Sequence, residues 1–321
     1  MKETVLVTGA SGFLGNNLIR DLLKFNYSVI ALVRSKSSTS ILKGLDCKIE
    51  RIGSYLFEDI EKIVSTCDYV IHCASKTDQW TMDYEQYKLA NVLSTKALVK
   101  ASKKHQIKRF ILVSSANCFT CGSKTNPGNE SSGFMNFFKH SGYAYSKYEA
   151  QEYLLKEIKE TDFPAIIVAP TFLLGAYDVK PSSGVLTKYV MDNKILFYPN
   201  GGKSFVSVSE VSKSVIYSLS HGRLGECYML SGENVTYKDY YKKVAVILGE
   251  KKILIPIPRT LMLLVKSLSK VITTRKFLRL NTNIQALFLE NYFTNAKAKK
   301  ELFMNDTVLD EAIRKTIDWL S

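Results

Sequence analysis

What the chain does not contain narrows it first. No run approaches the ~20 apolar residues that a membrane span requires; the longest candidate, Leu261 to Val265, ends at Lys266. No basic, apolar, small-residue leader precedes the first apolar strand, so a secreted product is not expected. The six cysteines (Cys47, Cys67, Cys73, Cys118, Cys121 and Cys227) include one C-x-x-C at 118–121, with neither a second pair nor a histidine cluster. That spacing argues against structural zinc, and buried thiols in a reducing cytoplasm fit it best. Acidic residues are scarce beside basic ones, 30 against 44, for a formal net charge of +14. Such an excess suits nucleic acid, an anionic membrane surface or a polyanionic substrate. The lysines are scattered, however, and no basic helix with interleaved aromatics stands out, so nucleic acid ranks last and is not expected as a partner. The rest is ordinary: 321 residues, 46% hydrophobic and 23% charged, enough for one large domain or two smaller ones.

The chemistry starts near the first residue. The apolar run from Thr4 to Val7 breaks into Gly9, Gly12 and Gly15, and Leu14, Leu18, Ile19, Leu22 and Leu23 follow at helical spacing. A buried strand, a glycine turn and a helix in that order form a cradle for a dinucleotide pyrophosphate. One glycine permits the tight turn, one lets backbone N–H groups approach, and one lets the helix pack close. The helix start then supplies donors and partial positive charge. Thr8, Gly9, Ser11, Gly12, Phe13, Leu14 and Gly15 are the candidate cradle residues.

A second strand, Ser28 to Val33, ends at Arg34, where an NAD-preferring site would place a carboxylate for the ribose 2′-OH. Ser35, Lys36, Ser37 and Ser38 follow with no carboxylate nearby. A guanidinium pairs with a 2′-phosphate, so NADP(H) is favoured over NAD(H). Further strands read at 47–52, 69–73 and 109–114, and the fourth runs into Ala74 and Ser75, small enough for close cofactor approach. A helix over 87–104 carries Asn91. Strands alternating with helices imply a parallel sheet with right-handed crossovers.

The fifth strand ends in Ser114 and Ser115, and Tyr143-Ala-Tyr-Ser-Lys147 opens a later helix. Four-residue spacing places the Tyr143 hydroxyl and Lys147 ammonium on one helix face. A neighbouring cation favours the phenolate; a downward shift of about three units, roughly 4 kcal/mol, would make this tyrosine a usable acid or base near neutrality. Ser115 could hold the reacting oxygen. Tyr84 and Lys88 share the spacing but precede the fifth strand, so Tyr143 is the candidate.

These motifs, with Phe110 to Ala116, Pro170 to Gly175 and Phe205 to Val211, resemble the extended short-chain dehydrogenase/reductase superfamily over nearly the whole chain. Gly175 to Gly184 is similar to a segment of dihydroflavonol-reductase-like bacterial proteins, including hopanoid-associated sugar epimerases. The resemblance implies an α/β, Rossmann doubly wound parallel sheet with a smaller C-terminal substrate-binding portion. Residues 1–170 would form the dinucleotide domain and 171–321 the substrate portion, with a strand and helix near 205–220 returning to the first. It implies Tyr143 as proton donor or acceptor, Lys147 as its tuner and a nicotinamide-ribose ligand, Ser115 as oxygen holder, and Asn91 as support. It also implies Arg34 and Lys43 at the 2′-phosphate, with Ala74 and Pro170 along the cofactor. Two departures stand out. Gly53 is followed by Ser54 where an adenine-contacting Asp is common, and Asn91-Val-Leu-Ser94-Thr95 replaces Asn-Val-x-Gly-Thr.

In the second half the alternation weakens. The long stretch from Phe119 to Tyr143, with Phe134, Met135, Phe137 and Phe138, reads as a substrate lid or as packing against the second half. Residues 256–272 are strongly apolar, and Arg259, Lys266, Lys270, Arg275, Lys276 and Arg279 punctuate or follow them; a core helix is the default and a membrane-surface helix the alternative. Lys297 to Trp319 reads as a closing helix pair with Trp319 packed inward. The expected function is NADPH-dependent reduction of a ketone, or the reverse oxidation, with an apolar substrate such as a long-chain keto-base or sterol slightly favoured. An NAD-retaining nucleotide-sugar epimerase or dehydratase is the alternative, though Ala116 and Asn117 lack a dehydratase's carboxylate. A non-catalytic dinucleotide sensor is a third reading. The expected partners are the small substrate, with peripheral membrane contact and a homodimer as candidates. The expected location is cytoplasmic.

Overall fold

Alternation within single strands decides how the layers form. In β1 (Thr4–Thr8), Val5 and Val7 enter one apolar cluster while Leu6 enters another, and all three are fully buried. Side chains of a strand alternate faces, so a sheet whose strands are apolar on both sides must be covered on both sides. The structure is a computed structural model that describes residues 2–53, 57–78, 83–180, 182–268, 272 and 274–321.

After β1 come α1 (Phe13–Lys24), β2 (Ser28–Arg34), β3 (Lys48–Ile52), α2 (Phe57–Val64) and β4 (Tyr69–His72). The helix expected over 87–104 is divided into α3 (Tyr84–Tyr87), a π-helical turn at Lys88–Leu93, and α4 (Ser94–Lys104). Then follow β5 (Arg109–Val113), α5 (Gly142–Thr161) and β6 (Ala165–Pro170). The second half contains β7 (Phe172–Leu174), α6 (Gly184–Asp192), β8 (Ile195–Tyr198), β9 (Gly202–Ser207), α7 (Val208–Tyr217), β10 (Cys227–Leu230), β11 (Glu233–Thr236) and α8 (Tyr237–Leu248). It ends with β12 (Ile253–Pro256), α9 (Arg259–Leu268), α10 (Arg275–Leu287), β13 (Glu290–Asn291), α11 (Ala296–Leu302) and α12 (Leu309–Leu320).

Seven strands form a parallel sheet in the order β10-β6-β5-β4-β1-β2-β3. Helices α1 and α7 cover one face through Leu18, Ile19, Val211 and Val215; α2, α4 and α5 cover the other through Ile60, Leu98 and Leu154. This is the Rossmann α/β arrangement. Its strand order reverses between β1 and β4, so a crevice opens at the carboxyl ends of those strands. The return expected near 205–220 is made by α7 against α1, whereas β9 joins β7, β11 and β13 in a smaller sheet. The strand that reaches the central sheet from the second half is β10, later in the chain.

The stretch after β5 is fastened down. Phe134 stacks on Tyr148 with ring centroids 4.3 Å apart, Phe138 is buried, and Glu130 Oε1 accepts from the Met229 N–H at 2.7 Å. Bridges from Gly122 to Tyr292 and Gly128 to Phe293 tie it to the second half. Two expectations change. Trp319 lies at a rim, 37% exposed against the Tyr177 ring, because α12 turns Ile313, Thr316 and Ile317 inward and helical spacing carries position 319 off that face. And α9 turns apolar side chains to water: Leu263, Leu264 and Leu268 are all at least half exposed. Lys270, Val271 and Ser54 lie outside the described residues, as do the side chains of Leu261, Val265, Arg275, Lys276 and Arg279.

Candidate active site

Every strand of the central sheet that carries a candidate residue carries it at or just past its carboxyl end. Thr8 ends β1, Arg34 ends β2, Ala74 follows β4, Ser115 follows β5, and Pro170 ends β6. Residues far apart in sequence meet along one edge because parallel strands share direction.

The glycine turn has little room for side chains. Gly9 has φ +66°, and a Cβ there would lie 2.8 Å from the Ala74 backbone; a Cβ on Gly15 would lie 2.2 Å from the Gly9 carbonyl oxygen. Gly12 donates to that same carbonyl at 2.8 Å, closing the turn beneath α1. The start of α1 has no side-chain cap and no acidic residue in its first turn. Its first N–H groups therefore face the crevice with their positive end uncompensated, the donor set a pyrophosphate needs. Ser11 and Phe13 are half-buried beside the exposed Gly12, while Leu14 is buried. The residues fit a dinucleotide. Thr8 is used differently: fully buried, its hydroxyl bonds His72 Nδ1 at 2.7 Å and accepts from the Ala74 N–H at 3.0 Å. It holds β1 to the segment after β4.

Arg34 is exposed, and no carboxylate forms an ion pair with it among the described residues. Lys43, at the end of a short turn over 40–42, is exposed as well. Between them, Arg51 on β3 donates to the Ser35 and Ser37 carbonyls at 3.1 and 3.0 Å and to Thr39 Oγ1 at 3.0 Å, clamping the loop that follows Arg34. Sequence reading missed Arg51, whose only signal is its register opposite Val33.

Helix α5 begins at the Ser141 cap, whose Oγ accepts from the Ala144 N–H at 3.3 Å. That places Tyr143 and Lys147 in its first turns, against the end of β5. The Tyr143 hydroxyl lies against the Ser115 side chain, whose Oγ accepts from the Asn117 N–H at 3.2 Å. Lys147 Nζ donates to the Val113 carbonyl at 2.5 Å. All three candidates lie where β5 ends and α5 begins. Burial governs their electrostatics. It pushes the Tyr143 phenol up to about 12, with the Ser115 side chain pulling it down only in part. Lys147 is itself pushed down to about 8 by burial. The expected lowering of Tyr143 by its neighbour is thus reversed, because desolvation of the phenolate outweighs a cation bonded to a carbonyl instead.

Asn91 sits in the π-helical turn, a distortion frequent at functional sites. Its Oδ1 accepts from the Lys76 N–H at 2.7 Å and from Ser75 Oγ at 3.1 Å; its Nδ2 donates to Ser146 Oγ at 2.8 Å. It thereby joins the segment after β4 to the residue beside Lys147. The rival pair separates: the Tyr84 hydroxyl bonds the Glu149 carboxylate, and Lys88 faces Glu85 at 3.8 Å. All six cysteines are free, and among the described residues no cluster could hold a metal ion. Asn16 and Asn17, unremarked in sequence, donate to the Tyr177 and Ala176 carbonyls at 3.2 Å each, and so draw the second half over the glycine turn.

Residues 5–230 match the family described as NAD dependent epimerase/dehydratase. The chain belongs to that family. It is therefore an NAD(P)-dependent enzyme of the extended short-chain dehydrogenase/reductase type. Among its relatives is the 4-hydroxy-2-methyl-3-oxo-4-farnesyl-3,4-dihydroquinoline-1-oxide ketoreductase of Stigmatella aurantiaca, 28% identical over 229 residues, 70% of this chain and 67% of that one. A UDP-glucose 4-epimerase of Vibrio cholerae is 26% identical over 270 residues, 80% of each chain. The crystal structure of gox2253 superposes with a TM-score of 0.88 at 26% identity, covering 100% of this chain and 98% of that one. The family thus joins reductases and epimerases on one fold.

Proposed function

We propose that this family member is an NADPH-dependent carbonyl reductase, and the observation that carries the reading is the contact between Tyr143 and Ser115 at the end of β5. When bound, the nicotinamide supplies the hydride for the carbonyl carbon. The protein does the rest. Ser115 holds the carbonyl oxygen, and Tyr143, which keeps its proton at neutral pH, donates that proton to the same oxygen. A phenol pushed up to about 12 by burial rests protonated at neutral pH, the form in which it can give its proton to the carbonyl oxygen. Lys147 is fixed by Val113 and can reach the ribose side of the crevice.

Arg34 supports the choice of cofactor. Exposed and unpaired with carboxylate, it suits a 2′-phosphate, and Lys43 and the Arg51-clamped loop add positive charge beside it. An apolar ketone is the favoured substrate class, in keeping with the prenylated substrate in the name of the Stigmatella relative. The test is cofactor affinity by nicotinamide fluorescence, with Arg34→Ala alongside. An NADPH preference that Arg34→Ala removes supports the reductase. Tight or co-purifying NAD overturns it in favour of the NAD-retaining epimerase, and nucleotide-sugars become the substrates to screen.

A further inference from the structure

The second half carries an apolar surface that the reaction does not use. Strands β8 and β12 form a two-stranded parallel sheet, with Ile253 opposite Ile195 and Ile255 opposite Phe197. Leu196 and Tyr198 point inward to the core of the second half; the four opposed residues point outward. Phe197 is 52% exposed and Ile253 56%. Parallel strands are normally covered on both faces, so a bare one made of three isoleucines and a phenylalanine calls for a partner. Two residues after β12 the chain enters α9, where Leu264 is 61% exposed. Leu264 and Leu268 lie one turn apart, with Leu263 beside them and Arg259 and Lys266 at the edge of that stripe.

Charge says what that partner is. From Lys251 to Leu289 there are eight Lys or Arg and no Asp or Glu, more than half of the chain's net +14. Two carboxylates beside Lys194 and Lys251, those of Asp192 and Glu250, already pair with Lys188 at 3.2 Å and Lys252 at 2.7 Å. Lys194, Lys251 and Arg259 stand exposed around the apolar residues. We propose that the β8–β12 face and α9 dock on an anionic phospholipid surface, the isoleucines, Phe197 and leucines entering the acyl boundary and the basic side chains meeting the headgroups. Exposed apolar area and a rim rich in basic side chains are the two requirements of an interfacial element. Nucleic acid would use the charge and leave the apolar face in water. No helix among the described residues is long and apolar enough to cross a membrane, so the contact is peripheral. The inference does not depend on which reaction Tyr143 performs.

The full chain is sedimented with vesicles of phosphatidylcholine alone and with vesicles containing phosphatidylglycerol, at low and at high salt. Binding is expected only to the phosphatidylglycerol vesicles and is weakened by salt. Phe197→Ser and Leu264→Ser should each lower it about tenfold, and Lys251→Ala about fivefold, with cofactor affinity unchanged in all three. Absence of wild-type binding to anionic vesicles at low salt overturns the proposal. So does a concentration-dependent dimer in analytical ultracentrifugation that Phe197→Ser abolishes, since the face would then belong to a second copy.

Discussion

The carboxyl edge of the central sheet and the stretch from Lys251 to Leu289 treat their side chains in opposite ways. At the sheet edge where β1, β4 and β5 end, even polar groups are buried and matched: Thr8 with His72 and Ala74, Asn91 with Ser75, Lys76 and Ser146, Lys147 with Val113. In the basic stretch, apolar groups stand in water. A catalytic edge must hold its groups before substrate arrives, so its polar atoms are committed to one another. A surface meant for a partner leaves its stabilising contacts to be made later. The same chain therefore spends stability at one place and leaves it unspent at the other.

Substitutions should separate the two regions. The largest effect is expected at Tyr143. Tyr143→Phe removes the proton donor and should lower kcat by about 10²- to 10⁴-fold with cofactor binding retained; steady-state rates beside fluorescence titration measure both. Retained turnover would sink the catalytic role. Next, Arg34→Ala should weaken NADPH by about ten- to a hundredfold, the worth of a charge-assisted pair, and leave NADH nearly unchanged, as paired titrations will show.

Lys147 sharpens the contrast through pH. Its folded value, about 8, lies below the ordinary 10.5, so between those values this group binds more protons in the unfolded chain and its contribution to stability rises with pH. The burial penalty is carried in full below about 8 and lifts toward 10.5. Thermal melts across that window should have a more negative slope with pH in Lys147→Met, which loses activity as well, than in wild type, where the lysine's rise offsets part of the opposite contribution of the buried cysteines Cys67, Cys73, Cys118 and Cys227. Equal slopes would mean that the lysine is not desolvated. Smallest of all, Phe197→Ser should leave turnover unchanged and shift stability by no more than about 0.5 kcal/mol, as at other exposed positions. A large loss of melting temperature there would make the face core rather than interface.

Much of the site was legible because its signals are local. Glycine spacing fixes a turn, Tyr143 and Lys147 share a helix face by periodicity, and Arg34 is where β2 must end. Strands β1, β2, β4 and β5 belong to buried apolar runs, so the parallel core of the sheet was readable too, whereas β3 is largely exposed and β10 lies outside the strands the sequence suggested. The break of one helix into α3, a π turn and α4 was not, because nothing in Lys88–Leu93 departs from ordinary helical composition. Arg51 was missed for the same reason that a cross-strand partner always is: its target lies on another strand.

The sequence by itself determined a candidate cradle, the alternation of strands and helices in the first half, and which side chains are candidates to move a proton, since these depend on spacing along one chain. Only the tertiary structure decided what each group experiences. It bonded the Thr8 hydroxyl to His72 and Ala74, sent β10 rather than β9 to the central sheet, and left Leu263, Leu264 and Leu268 of α9 exposed. It also raised Tyr143 where spacing to Lys147 argued for lowering, because desolvation depends on everything that packs around a group, and no local pattern records it.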